Sequence, residues 1–132
     1  MKRLLPVLLL FMLSVLAWAA LPPLSADERK TEADHILVGQ VNNISTQEVE
    51  VEDGTNFVYA LNFRVDGREK GSLRPGLTLT IDCKQTGKRP DGWAGPQGQN
   101  DIPGRGQKVR VYLRETPEGR FRLLEPNGWE PL

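Results

Sequence analysis

Large apolar residues recur at every second position along much of this chain, and this spacing constrains its fold more than any other feature. Phe57, Tyr59, Leu61, Phe63 and Val65 fall on one side of an extended segment, and the opposite side is more polar. A period of two is typical of half-buried β-strands. The same alternation recurs in residues 35–41, 48–52, 77–84, 109–114 and 120–123. The pattern predicts an all-β fold of five to six antiparallel strands that forms a small barrel or sandwich.

The N-terminal residues have the layout of a secretory signal peptide. Two basic residues precede an apolar run at 4–21, and prolines and small residues follow it. This order of regions predicts a signal-peptide helix and an exported protein, periplasmic or extracellular. Cleavage is expected after Ala19, with Ala26 as the alternative. An uncleaved anchor is the third possibility, because about 20 apolar residues can span a bilayer; a cleaved chain would keep no stable membrane anchor.

The predicted organisation is a signal peptide at 1–19, a charged lead-in at 20–34 and one β-barrel domain at 35–132. The full chain has 17 basic and 17 acidic residues, and the signal peptide removes two of the basic ones. The remaining net charge near −2 gives no general attraction to polyanions, so nucleic acid is not an expected partner. A single cysteine, Cys83, rules out an internal disulfide, so sheet packing must stabilise the domain.

One long segment, residues 85–107, interrupts the alternating pattern. It is rich in glycine and proline and has no period, but it contains Trp93, Asn100 and Asp101. Loops of this length in a compact domain are usually either functional or disordered. Since disordered linkers rarely carry tryptophan, we expect an ordered loop that folds over one end of the barrel.

The chain resembles a class of exported β-barrels in its order of segments. Residues 33–41, followed by an aromatic strand that ends at 65–71, resemble the opening of OB-like barrels, including netrin-like modules and tissue inhibitors of metalloproteinases. The later segments are similar to those of small exported bacterial proteins; they comprise residues 92–93, 98–100, 102–103, 106–113 and 126–130. The resemblance covers most of the chain after the leader. It implies an OB-like barrel and implies no activity.

The chain departs from the metalloproteinase inhibitors at a decisive position. Those inhibitors chelate the zinc of their target through an N-terminal cysteine held in a disulfide framework. No cysteine lies near either predicted cleavage site. The inhibitory mechanism therefore cannot be carried over to this chain.

The sequence offers little for an enzyme or a metal site. His35 is the single histidine, predicted at the barrel rim with an exposed ring, and Cys83 falls on the apolar side of its strand, where a thiol is usually inert. One His and one Cys cannot form a structural zinc centre. Asp91, Asn100 and Asp101 offer oxygen ligands for calcium, but their spacing matches no calcium loop and turn formation explains them as well. No cofactor is expected.

A binding surface is the preferred hypothesis. Arg110, Tyr112 and Arg114 share the outer side of one predicted strand, and Trp93 and Asn100 belong to the long loop. Aromatic and basic residues on a sheet face with bordering loops are typical of OB-like binding sites. The sequence therefore predicts a non-enzymatic binding module. Its candidate ligands are an anionic or sugar-like polymer and a protein partner, in the envelope or outside the cell. A structural envelope or surface protein is the alternative, since alternating arginines also serve solubility, and a hydrolase is the third hypothesis.

Overall fold

The computed structural model describes residues 22–132, and the predicted signal peptide at 1–19 lies outside these described residues. The described part is mostly β, with one short helix. In chain order the elements are α1 (Ala26–Glu32), β1 (His35–Val51), β2 (Gly54–Lys70), β3 (Thr78–Thr86), β4 (Lys108–Glu115), β5 (Phe121–Leu123) and β6 (Trp129–Pro131).

Helix α1 lies within the predicted charged lead-in, and its start follows from a local capping motif. The Ser25 hydroxyl accepts a hydrogen bond from the Glu28 backbone N–H at 3.1 Å, and the Glu28 carboxylate accepts one from the Ser25 N–H at 3.1 Å. This reciprocal arrangement satisfies two N–H groups at the start of the helix. No residue within α1 is buried. The chain reaches the protein interior only at Ala33, which is 2% exposed.

The six strands form one mixed sheet that closes in a ring. The neighbours run in the order β1-β2-β3-β5-β4, and β4 pairs with β1 to complete the circuit. Strand β6 pairs with β4 at Val109–Val111, beside the short pairing of β4 with β5. Strands β1 and β2 are long enough to extend past this ring, because β4 pairs only with residues 35–40 of β1.

The expectation of a purely antiparallel sheet is wrong at one pair of strands. Strand β3 runs parallel to β5, with Ile81 opposite Phe121 and Asp82 opposite Arg122, whereas the other pairs are antiparallel. The odd number of strands in the ring explains this parallel pair. A closed ring of five strands cannot alternate in direction at every step, so at least one neighbouring pair must be parallel.

The core fills the inside of the ring with the side chains that the alternation places on one face. A period of two means that a single register decides which side chains are buried. These side chains are Leu37, Val41, Leu61, Phe63, Val65, Ile81, Cys83, Val109, Val111, Leu113 and Leu123. The same pattern overestimates burial at two sites: Phe57 is 37% exposed and Leu77 is 44% exposed. Phe57 lies in the part of β2 that extends past the ring. It is opposite Glu48 of β1, beyond the point where β1 pairs with β4.

Gly39 allows β1 to bend in the segment where it pairs with both β2 and β4. The register between β1 and β2 shifts between Val38 and Gly39, as expected for a glycine at a bulge or tight bend. A Cβ atom at Gly39 would lie 2.0 Å from the carbonyl oxygen of Arg64. The closure of the ring therefore requires a residue without a Cβ atom at this position.

The long loop begins later than residue 85, because β3 continues through Thr86. The segment that follows folds back along the end of β3. The Thr86 N–H donates to the Gln97 carbonyl at 2.9 Å, and Gln85 forms a β-bridge with Gly98. Gln99 is 2% exposed and accepts a hydrogen bond from the Gly128 N–H at 3.2 Å. These bonds fix the loop in place at residues 97–99.

Candidate functional site

The outer side of β4 near Tyr112 is covered by other elements. Tyr112 is 3% exposed, and the guanidinium of Arg29 in α1 lies over its ring at 4.7 Å. Its hydroxyl donates to Glu130 in β6 at 2.9 Å. Burial raises the pKa of Tyr112, and the hydrogen bond to Glu130 adds to this effect. Tyr112 was predicted on an open binding face, but the structure makes it an attachment point for α1 and β6.

Arg110 is fully engaged by two carboxylates. It donates to both oxygens of Glu69 at 2.8 and 3.1 Å and to Glu130 at 2.8 Å. The hydrogen bonds to Glu69 and then Glu130 raise the pKa of Arg110 further above its usual value. Charge-assisted bonds of this bidentate kind fix a guanidinium in position. Arg110 therefore lies on the outer side of β4, as predicted, without being available as a free cation.

Farther along the sheet, arginines that look alike in sequence have different neighbours. Arg114 lies opposite Arg122 in the β4–β5 pairing and is 3.8 Å from Glu32. Arg120 donates to both oxygens of Asp82 at 2.6 and 2.8 Å. Among the described residues, no carboxylate lies within ion-pair distance of Arg122. Arg122 is thus the exposed arginine of this region whose charge no carboxylate of the described chain neutralises.

Arg122 lines two adjoining cavities beside β5. The larger, about 420 Å³, is bounded by Glu32, Arg114, Arg122 and Glu125 together with residues of the 115–117 turn. The smaller, about 160 Å³, lies between β3 and β5. Its charged lining is Asp82, Lys84, Arg122 and Glu125, and its apolar floor includes Cys83 and Leu123. Both cavities share Arg122, Leu123 and Glu125, so they form one continuous depression.

Trp93 borders this depression at the other end. A third cavity of about 110 Å³ contains Trp93 with Lys84 and Glu125, two residues that also line the cavity between β3 and β5. The guanidinium of Arg89 lies over the Trp93 ring at 4.7 Å and donates hydrogen bonds to the Thr55 carbonyl and the Asn56 side chain. Trp93 is therefore half-buried, with its ring held in a polar setting.

We call this continuous surface the outer groove. Its charged lining consists of four basic and four acidic residues, Lys84, Arg89, Arg114, Arg122, Glu32, Asp82, Glu115 and Glu125, and Trp93 lies at one end. It contains two of the predicted site residues, Trp93 and Arg114, and excludes Asn100, Arg110 and Tyr112. Among the residues that were missed are Lys84, Arg89, Arg122 and Glu125. Lys84 alternates with the apolar residues of β3 and could have been found from that pattern, whereas the placement of Arg89 and Glu125 has no local signal.

The calcium candidates are spread along the long loop. Asn100 and Asp101 use backbone atoms for packing: the Asn100 N–H donates to Pro126 at 2.8 Å, and the Asp101 carbonyl accepts from the Trp129 indole at 2.9 Å. Asp91 is exposed in a turn. Across residues 22–132, no cluster of three or more metal-binding His, Cys, Asp or Glu side chains occurs.

His35 is buried, contrary to the expected exposed ring. It is 7% exposed, and Phe121 packs edge-on to it at 5.6 Å between ring centroids. The ring is enclosed because Gly71 lies directly against its Nδ1 atom. Cys83 faces the core, and its burial raises the pKa of the thiol to about 12. A thiol with this pKa stays protonated at neutral pH and is a poor nucleophile.

Comparison with known proteins gave no relative. No protein-family model, curated protein or solved structure matches the chain. Within residues 22–132, none of the helices has the length and apolar composition that a bilayer-spanning helix requires.

Proposed function

We propose that the protein is an exported, non-enzymatic binding module whose outer groove holds a segment of an anionic, sugar-like polymer. The observation that carries this proposal is the pair of cations in the groove. Lys84 and Arg122 line the same cavity as Asp82 and Glu125. Arg120 holds Asp82, and neither Lys84 nor Arg122 forms an ion pair with a carboxylate of the described chain. Cations that the fold leaves without partners can form charge-assisted hydrogen bonds to a carboxylate or sulfate of a ligand.

Trp93 gives the groove an aromatic surface for a sugar ring. Tryptophan presents a large apolar face with a polar edge, which suits the mixed surface of a carbohydrate. Asn56 and Thr86 line the Trp93 cavity. The Asn56 Oδ1 accepts from Arg89 and the Thr86 hydroxyl donates to the Pro96 carbonyl at 2.8 Å, which leaves the Asn56 amide as a donor and the Thr86 oxygen as an acceptor for sugar hydroxyls. The length of the groove, which runs through three adjoining cavities, fits an extended polymer better than a compact small molecule.

The fold supports the same proposal. We assign the five-stranded ring to the OB-like barrels, whose ligands lie across a sheet face between bordering loops and include oligosaccharides. Here the groove crosses β3 and β5 and is bordered by the loop that carries Trp93. A protonated Cys83 thiol and a histidine enclosed beside Phe121 favour binding over nucleophilic catalysis.

Export remains part of the proposal, and the structure favours one of the two cleavage sites. Leu24 exchanges two hydrogen bonds with the Asn127 side chain, at 2.8 and 2.9 Å. Ser25 forms the cap of α1. Cleavage after Ala26 would remove both residues, so we propose that the exported chain begins after Ala19.

A structural envelope protein is the second candidate. The observation in its favour is that Arg110 and Arg120 are held by Glu69, Glu130 and Asp82 rather than left free. In that case the outer groove would bind no polymer. The two candidates make opposite predictions for the experiment below.

The test is calorimetric titration of the protein, purified from cells expressing the full chain, with three probes: a heparin oligosaccharide, an oligogalacturonate and a neutral dextran. We expect binding to one of the anionic probes and not to dextran. Arg122→Gln should weaken binding about tenfold, the usual value of one charge-assisted hydrogen bond. Arg105→Gln is the matched control, because Arg105 is exposed and lines none of the three cavities, and it should change binding less than about twofold.

Two results would count against the proposal. The absence of heat with every probe at millimolar concentration would favour the structural envelope protein. Equal weakening by Arg122→Gln and Arg105→Gln would mean that binding is a general charge effect and does not use the groove. Loss of probe-induced tryptophan emission change in Trp93→Phe would locate the sugar contact at the long loop.

A further inference from the structure

The second half of β1 is a long strand with one free edge. Residues 43–51 pair with β2 in a regular register. On the other side, the pairing with β4 ends at Gln40, and Val41 bonds to the loop at Gly106 and Gln107. Within the described residues, no backbone hydrogen bond joins residues 43–51 to anything except β2. Nine residues of extended chain correspond to an open edge about 30 Å long.

The backbone groups that face this edge can be assigned from the neighbouring strand. The Thr55 N–H donates to the Lys88 carbonyl at 3.0 Å, and the Thr55 carbonyl accepts from Gly87 at 2.9 Å, so both groups of Thr55 point away from β1. In an antiparallel pair, directly opposite residues either bond to each other or both point outward, alternately. Glu50 lies opposite Thr55, so its N–H and C=O face the open edge. The same holds at every second residue, namely Ile44, Thr46 and Glu48.

The side chains of this edge carry charge of one sign. Glu48 and Glu50 alternate with Val49 and Val51, and Glu52 and Asp53 follow in the turn. None of these four acids forms an ion pair with any described residue. Charged residues on a free edge normally discourage pairing with other copies of the same chain. Here the acids would repel a second copy and attract a basic strand.

Exposed apolar surface accompanies the acids. Val51 is 38% exposed, and Phe57, which lies opposite Glu48, is 37% exposed. Because side chains alternate across a strand, a strand added to this edge would place every second residue beside Glu48 and Glu50 and the residues between them beside Val49 and Val51.

We propose that the free edge of β1 binds an extended segment of a partner protein in which lysine or arginine alternates with apolar residues. The segment would add to the sheet as a further strand, a mode of recognition in which backbone bonds supply affinity and alternate side chains supply specificity. The outward groups of residues 44, 46, 48 and 50 would bond to its backbone. The two glutamates would pair with its basic residues. This proposal does not depend on ligand binding in the outer groove.

The test is a nuclear magnetic resonance titration of the ¹⁵N-labelled protein, purified from cells expressing the full chain. The probe is a short peptide that alternates lysine and valine, and the control peptide alternates glutamate and valine. We expect the amide signals of residues 44, 46, 48 and 50 to shift more than those of 45, 47, 49 and 51. This alternation reports new backbone hydrogen bonds at the edge, which binding to side chains alone would not produce.

Variants separate the backbone contribution from the charge contribution. Thr46→Pro removes one outward N–H, which an edge strand tolerates, and should weaken peptide binding at least about tenfold. Thr46→Val keeps the N–H and is the matched control, so it should bind as the parent does. The double variant Glu48→Gln with Glu50→Gln leaves the backbone intact and should weaken binding about fivefold; it also serves if Thr46→Pro fails to fold.

Three outcomes would overturn the proposal. The first is the absence of shifts at about 1 mM lysine–valine peptide, where even very weak binding would show. The second is a set of shifts without alternation or centred on another surface. The third is self-association of the free protein, seen by analytical ultracentrifugation and abolished by Thr46→Pro, because the occupant of the edge would then be a second copy of this chain.

Discussion

Glu130 holds α1, β4 and β6 together, and its replacement by glutamine tests why the outer side of β4 is closed. Its Oε1 atom accepts hydrogen bonds from Arg110 at 2.8 Å and Tyr112 at 2.9 Å. Its Oε2 atom accepts one from Arg29 at 3.3 Å. Glutamine keeps the shape and one acceptor but loses the charge. A hydrogen bond to a charged group is worth roughly 1 kcal/mol more than a neutral one, so losing the charge on two short bonds should cost about 2 kcal/mol.

The assay is chemical and thermal unfolding of parent and variant. For a domain of this size, about 2 kcal/mol corresponds to a decrease in melting temperature of about 8 °C. Glu69→Gln is the matched control, because Glu69 also bonds to Arg110 but its side chain is 46% exposed. An exposed ion pair contributes at most about 1 kcal/mol. Equal costs for Glu130→Gln and Glu69→Gln would refute the idea that Glu130 fastens α1 and β6 over β4.

The pH dependence gives a second check on the same variant. Burial acts to raise the pKa of Glu130, but hydrogen bonds from Arg110 and Tyr112 and the positive charges of Arg29 and Arg110 outweigh it, so the net pKa lies below the usual 4.5. A carboxylate with a lowered pKa stabilises the fold above the unfolded pKa, and this contribution is lost as the pH falls through the folded pKa. The stability difference between parent and Glu130→Gln should therefore be constant above about pH 5 and shrink below pH 4.5. A difference that grows in acid would contradict the assignment.

Two further predictions concern the ring and its core. Gly39→Ala should destabilise the protein by about 2–3 kcal/mol in urea unfolding, because the new Cβ would meet the Arg64 carbonyl at 2.0 Å. The control Gly104→Ala, whose Cβ would have its nearest neighbour at 3.7 Å, should change stability by less than about 0.5 kcal/mol. Similar costs for both variants would argue against the close approach at Gly39. Cys83 is 8% exposed and burial raises its pKa to about 12, so at pH 8 it should react with a thiol reagent at least about tenfold more slowly in the native protein than in the urea-unfolded protein; equal rates would contradict the raised pKa.

The strands were predictable because burial in a sheet has the same period as the sequence pattern. Leu61, Phe63 and Val65 are buried as the alternation predicts, and so are Val109 and Val111. The parallel contact between β3 and β5 was not predictable from the pattern, because alternation says nothing about the direction of a neighbour.

Burial at the ends of the strands depends on which strands lie nearby. Phe57 and Phe63 occupy the same face of β2, yet Phe57 is 37% exposed and Phe63 is fully buried. The difference arises because the ring closes around one end of β2 only. The burial of His35 also depends on neighbours that are distant in sequence. The pattern places it at an open rim, whereas Phe121 and Gly71 enclose it in the structure.

The partners of the arginines at the candidate site could not be predicted from the sequence. Arg110, Arg120 and Arg122 look equivalent in the sequence, since each follows the outward period of its strand or turn. The partners that distinguish them are remote: Glu69 is 41 residues from Arg110, and Asp82 is 38 residues from Arg120. Alternation identifies the face on which a charge lies, whereas the tertiary fold decides whether that charge is neutralised. Of these three arginines, Arg122 is the one whose charge is not neutralised, because the fold brings no carboxylate of the described chain within ion-pair distance of it, and for that reason the proposed ligand is placed beside it.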